Sequence, residues 1–189
     1  MPDFFEVLRT RRSVRSFSAE PVSQQDLQEL IDSAIVAPTG MNLQPWAFIV
    51  ATSRDVLQKL NTIVLNILRS PEVQQHMTSE RMKQIVNAPE YDIFYGAPAL
   101  IVICGDTKVP GALFDCQLAA ENLLLAAHAN ELGACYMGFL LLAAENPEAQ
   151  RLLHLAEGFK MMAAVVVGHP DNRPEGPPRR NPARVTWVS

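Results

Sequence analysis

The sequence of 189 residues is short of cysteine, of paired histidines and of long apolar runs, and each shortage removes a class of function. Cys104, Cys116 and Cys135 form an odd set without a C-x-x-C pair, so they read as reduced, mostly buried thiols rather than a disulfide framework. His76, His128, His154 and His169 never stand at H-x-x-x-H spacing, and none lies within four residues of a cysteine, so no metal site is expected. The apolar stretch at 97–104, interrupted by Pro98, falls far short of the roughly 20 residues of a membrane span. No basic segment followed by an apolar one opens the chain, so no secretory signal is expected and the expected location is cytoplasmic. G-x-G-x-x-G is absent too. Gly133 and Gly138 have the glycine spacing of a P-loop, but Phe139 and Leu140 stand where Lys and Ser or Thr are needed.

Charge is modest as well. Sixteen basic and twenty acidic residues leave a net charge of −4, which argues against a general nucleic-acid binder. Their placement says more than their sum. Arg9, Arg11, Arg12 and Arg15 lie near the start and Arg173, Arg179, Arg180 and Arg184 near the end, so half of all basic side chains sit at the termini, and all of these are arginine. Guanidinium groups suit bidentate contact with phosphate oxygens. With 48% hydrophobic residues, the chain is expected to form one domain over 1–189. A folded monomer of this mass should expose about 9,000 Å² and bury about 70% of its unfolded surface.

The apolar periodicity predicts helices alternating with strands, an α/β or α+β fold. Asp3 and Glu6 predict a capping pair for a first helix ending near Thr10, and Ser23 caps a second helix that Pro38 stops. Residues 46–51 read as a strand, and Ser53 opens a helix that Pro71 ends. The polar stretch 72–96, with a helix after Thr78, reads as a mobile cover. Residues 99–104 predict a strand buried on both faces, and 161–167 a last central strand. Between them, 115–132 predicts a helix apolar on nearly all sides, fit for a core or a subunit interface. Asn146, Pro147 and Glu148 open a further helix. Five prolines after residue 169 exclude regular helix from the tail, yet Val185, Thr186, Trp187 and Val188 are β-prone, so about 170–189 is expected to form an arm that docks.

Two segments carry chemistry. Residues 11–15, R-R-S-V-R, gather donors just after a helix; alone, such a string is also a common solvated turn. At 37–46, A-P-T-G-M-N-L-Q-P-W, Asn42 and Gln44 offer donors and acceptors to the edge of a heterocycle, whereas an ordinary turn accounts only for the proline and glycine.

In order along the chain, R-R-S-V-R-S-F at 11–17, A-P-T-G-M-N-L-Q-P-W at 37–46, F-Y-G-A-P at 94–98, the stretch from Asp115 to Phe139 and V-G-H-P at 167–170 followed by Arg179 and Arg180 resemble the FMN-dependent nitroreductase family. The resemblance implies an α+β, nitroreductase-like fold with a central mixed β-sheet flanked by helices, in a domain-entwined homodimer with two FMN sites at its interface. It implies that Arg11, Arg12 and Ser13 hold the FMN phosphate and ribityl chain, with Arg179 and Arg180 returning to the phosphate. Arg15 would face N1 and O2 of the flavin. Pro38, Thr39, Gly40, Asn42 and Gln44 would contact flavin, some from the partner subunit, and Tyr136, Met137 and Gly138 would pass its edge. Met137 stands where some relatives carry glutamate.

No catalytic acid or base is expected, because the flavin carries the chemistry. NADH or NADPH would be a transient reductant, and a nitroaromatic or quinone the small-molecule acceptor, in ping-pong turnover. Reduction of an activated alkene or a halogenated phenol, a flavin-consuming enzyme, a flavin-binding or sensing module without turnover and an anion-binding interaction protein are the alternatives. Met41, Phe94 and Tyr95 read either as the wall over the flavin or as core.

Overall fold

The computed structural model describes residues 3–174, 176 and 178–188. Helix α1 (Phe4–Thr10) is followed by α2 (Gln24–Ala34), strand β1 (Trp46–Ala51), α3 (Arg54–Leu68), α4 (Pro71–Gln74) and α5 (Glu80–Asn87). Then come β2 (Ala99–Asp106), α6 (Ala112–Ala129), β3 (Gly133–Tyr136), α7 (Pro147–Leu152) and β4 (Phe159–Gly168). Turns of 3₁₀ helix stand at Gly40–Asn42 and Gly138–Ala143.

The sheet runs β1-β2-β4-β3 and is antiparallel between all neighbours. The α+β class therefore holds, while the mixture of strand directions expected within the sheet is absent from its neighbouring pairs. The reason lies in the order. β2 and β3, joined through α6, both run against β4 and so run parallel to each other, but β4 is inserted between them and no parallel ladder forms. Among the described residues the one parallel pairing is an isolated bridge between Ser13 and Ala134.

Period-2 alternation sorts the central strands into two layers. Leu100, Val102, Cys104, Ala164 and Val166 face α3, α5 and α7 through Leu60, Val64, Val86 and Leu153. Ile101, Ile103, Ala163, Val165 and Val167 face α2 and α6 through Leu30, Ala119 and Leu123. Every residue of β2 but the last is buried, as its unbroken aliphatic run predicts.

Several local expectations shift. Asp3 caps α1 by its extended backbone and its carbonyl, which accepts from Val7 N at 3.0 Å; its side chain makes no capping hydrogen bond. α2 ends at Ala34, ahead of Pro38. Pro71 opens α4 behind the Ser70 cap, because a proline that cannot continue one helix is well suited to the first turn of the next. α6 starts at Ala112, after Gly111 turns the chain with φ of 87°.

Gly133 and Gly168 are partners across β3 and β4, and the Phe17 ring lies over both. A Cβ on Gly133 would stand 2.9 Å from Val14 and 3.0 Å from Phe17, and one on Gly168 would stand 2.6 Å from Pro98 and 2.9 Å from Phe17. Alanine at either position is expected to lower unfolding stability by about 1–3 kcal/mol through overpacking. Urea denaturation checks this, and unchanged midpoints in both variants would show that Phe17 does not need the glycine pair.

Candidate functional site

Behind α1 the chain runs extended along the outer side of β3. Val14 N donates to Ala134 O at 3.0 Å, and burial of Val14 and Phe17 pins the segment to the core. At its far end Ser18 N donates to His169 O at 2.9 Å and Asp171 N donates to Ser16 O at 3.1 Å, so the start of the C-terminal arm is sewn to the arginine run. Two further bonds hold the arm in place: Arg12 donates to Gly176 O at 2.9 Å, and Arg173 donates to Glu131 O.

The result is a cavity of about 300 Å³ lined by Arg11, Arg12, Ser13, Arg15, Pro174, Pro178, Arg179 and Arg180. Both termini supply its guanidinium groups. Of these, Arg11 meets a carboxylate, Glu121, whose Oε1 lies 3.5 Å from Arg11 Nε. Five arginines and a hydroxyl around so small a space form a donor set for a phosphate or a like oxyanion.

Nearby, Thr10 gives its proton to Glu6 O at 2.7 Å, so its oxygen accepts from His128 Nε2 at 2.9 Å and the imidazole carries its hydrogen there. Burial, then Arg173 and Arg11, lower the His128 pKa from its ordinary 6.5. Burial likewise pushes the Cys104 thiol up to about 12 and Cys116 to about 11. Cys135 is also raised by burial, opposed by Arg15, Ser13 and Arg11. All three cysteines are free and buried, as expected of structural thiols.

The remaining candidates lie elsewhere in the chain. Pro38, Thr39, Gly40, Asn42 and Gln44 form a turn at the start of α6, where Gly40 N donates to Asp115 Oδ1 at 3.2 Å. Gln44 N donates to Thr39 Oγ1 at 3.2 Å, and Gln44 Nε2 reaches Asn42 Oδ1 at 3.3 Å. Met41, Asn42 and Gln44 all have positive φ, at 52°, 57° and 47°, a cluster of left-handed non-glycine residues that costs stability. Asp115 meets this turn, whereas Glu121 meets Arg11 and His128 meets Thr10 just before it, about 9 and 20 Å further along α6. None of the five turn residues lines the cavity.

Tyr136, Met137 and Gly138 stand at the end of β3, also outside the cavity lining. The Tyr136 hydroxyl accepts from Gln117 Nε2 at 2.9 Å, Met137 is buried in the core and Gly138 is exposed. Phe94 is core, at 2% exposure, and Met41 is open at 92%; Tyr95 lies beneath Arg15. Sequence reasoning missed Asp115, although an acid in the first turn of an otherwise apolar helix was the available signal. A larger cavity, about 1130 Å³, opens between α2, the start of α3 and residues 90–98, away from the arginine cluster. Among the described residues no helix is long and apolar enough to cross a membrane.

The sequence pattern of the nitroreductase family matches residues 8–169. A protein of Methanothermobacter thermautotrophicus named as an NADH dehydrogenase/NAD(P)H nitroreductase is 30% identical over 176 residues, covering 91% of this chain and 80% of that protein. Iodotyrosine deiodinase 1 of Rattus norvegicus is 37% identical over 62 residues, 33% of this chain and 22% of that one. Among solved structures, a nitroreductase of Desulfitobacterium hafniense with bound FMN superposes with a TM-score of 0.82 over 100% of both chains at 28% identity.

Proposed function

The chain belongs to the nitroreductase family, and from that premise we propose that its arginine-lined cavity holds the phosphate of FMN and that the enzyme uses NADH or NADPH to reduce nitroaromatics, quinones or similar acceptors. The observation that carries this reading is the convergence of guanidinium groups from both ends of the chain on one cavity of phosphate-like chemistry. Bound FMN would supply the redox chemistry, accepting a hydride from the nicotinamide and passing electrons to the acceptor in a second half-reaction.

The chain's own residues bind, orient and exclude water. Arg11, Arg12, Ser13, Arg179 and Arg180 would hold the phosphate and ribityl chain. Arg15 would place positive charge against the pyrimidine edge, where reduction puts negative charge. The Pro38 to Gln44 turn and the end of β3 would contact the ring system.

Because that turn lies well along α6 from the arginines, a second copy of the chain is the natural source of these contacts in each site. The surface supports a homodimer. The chain exposes 11681 Å², roughly 2,700 Å² more than a folded monomer of its mass requires. The excess includes Phe4, Phe5, Leu113, Phe114 and Leu118 on α1 and α6, and Val185, Trp187 and Val188 on the arm. The open edge of β1 and the groove beside it offer the arm of a second copy a place to dock. Residues 1–189 would then form one domain whose arm, from about 170, crosses to the partner.

A visible spectrum of the purified protein with oxidised-flavin bands, and bleaching of those bands by NADH or NADPH in anaerobic stopped flow, are the expected results. Colourless protein after expression with ample riboflavin would remove the cofactor reading, and a flavin left oxidised by both nicotinamides would remove the reductant. The deiodinase relative favours one second reading, a halogenated phenol as acceptor. Halide release measured beside nitro and quinone reduction separates the two.

A further inference from the structure

We propose that Tyr95 is the positioning residue for Arg15 and through it raises the reduction potential of the bound flavin. The proposal rests on the FMN reading above. Arg15 Cζ lies over the Tyr95 ring, 5.9 Å from its centroid, within the range of a cation–π contact. Among the described residues no carboxylate pairs with Arg15, whereas Arg11 meets Glu121 at 3.5 Å. The difference matters electrostatically. A carboxylate partner would cancel most of the field that a guanidinium projects onto an approaching anion. An aromatic face fixes the cation through its quadrupole and leaves the net charge, and the in-plane N–H donors, for a ligand.

The Tyr95 ring is itself held by a heavily determined turn. Asp92 accepts from Phe94 N at 2.9 Å through Oδ1, from Gly96 N at 2.8 Å through Oδ2 and from Tyr95 N at 3.1 Å through its carbonyl. Ile93 and Phe94 are sunk in the core, and Asn61 Oδ1 accepts from Ile93 N at 3.0 Å. These bonds keep Tyr95 at a φ of 59°, a conformation a tyrosine adopts only when its surroundings impose it. Tyr91 completes the support, packing edge-on with centroids 6.4 Å apart and planes at 69°. Burial, then the hydrogen bond with Tyr95, raise the Tyr91 pKa. The stack therefore runs from the core through Tyr91 and Tyr95 to a guanidinium that, among the described residues, has no counter-charge of its own.

The test is the midpoint potential of bound FMN, measured anaerobically against a reference dye in the full-length holoenzyme. Arg15→Leu should lower the equilibrium constant for two-electron reduction about tenfold, about 30 mV for this couple. Tyr95→Leu should reproduce most of that shift, Tyr95→Phe should stay near wild type, and Tyr95→Leu combined with Arg15→Leu should go no lower than Arg15→Leu alone. Should Tyr95→Leu fold poorly, fluorinated phenylalanines at position 95 keep the shape while draining the ring quadrupole, and the potential should fall stepwise with fluorine number. A flat series, or a Tyr95 effect additive to that of Arg15, would overturn the role of Tyr95 and leave the cofactor reading intact. FMN bound at unchanged potential in Arg15→Leu would remove Arg15 and this proposal together. A wild-type chain that retains no FMN would remove both readings.

Discussion

Removing Arg11 and Arg180 together is expected to weaken FMN binding by roughly a hundred- to ten-thousandfold, against roughly ten- to a hundredfold for either alone. Losing a charged hydrogen-bond partner costs about 1.5–3 kcal/mol, and each 1.4 kcal/mol is tenfold in affinity. The two residues come from opposite ends of the chain and face one cavity, so removing both strips one terminus's contribution and then the other's. Arg180 should show the larger single effect, because Arg11 must give up part of its interaction with Glu121 to meet a phosphate. Arg180→Lys should fall between wild type and alanine, since an ammonium keeps the charge and loses the planar fork. Raising salt should weaken wild-type binding more than that of the double variant. Titration of apoprotein with FMN, followed by quenching of flavin fluorescence, measures all of these. Equal dissociation constants for wild type and the double variant would place the phosphate elsewhere.

The arginine cavity was legible because its parts are local. R-R-S-V-R is contiguous, and the terminal clustering of arginine shows in the residue order before any fold is known. β1 and β2 were legible for a similar reason, their apolar runs being long enough to declare strands. β3 was not, because Gly133 and Ala134 have little strand character of their own and the four-residue segment is ordered by pairing with β4. The antiparallel sheet also escaped the sequence reading, since it depends on β4 entering between β2 and β3 from far along the chain. Asp115 and Tyr95 share a different difficulty. Each acts on a neighbour distant in sequence, Gly40 in one case and Arg15 in the other, and nothing in a linear pattern joins them. Tyr136 shows the converse: its position in a recognisable motif said nothing of its hydroxyl, which turns to Gln117.

Phe114→Glu is expected to convert the proposed homodimer to a monomer and to release FMN while leaving the fold of each chain in place. Phe114 is 71% exposed in the single chain, beside Leu113 and one turn before Leu118 on the same helix. α6 packs its opposite side into the core through Cys116, Ala119, Ala120 and Leu123, so a carboxylate at 114 meets only water in an isolated chain. At an interface it must be buried without a partner. A central aromatic anchor is typically worth 2 kcal/mol or more, and a desolvated charge adds to the cost, so dimer dissociation should strengthen by roughly a hundredfold at least. Loss of FMN is expected on the proposal that a second copy supplies the ring contacts: the variant keeps every arginine of the cavity, and the Asp115-bound turn carrying Asn42 and Gln44 stands about 9 Å along α6 from Glu121. Sedimentation equilibrium, circular dichroism and flavin content on the same samples separate the steps. A monomeric variant that still binds FMN as tightly as wild type would assign both halves of the site to one chain, and a variant that stays dimeric would move the interface off α6.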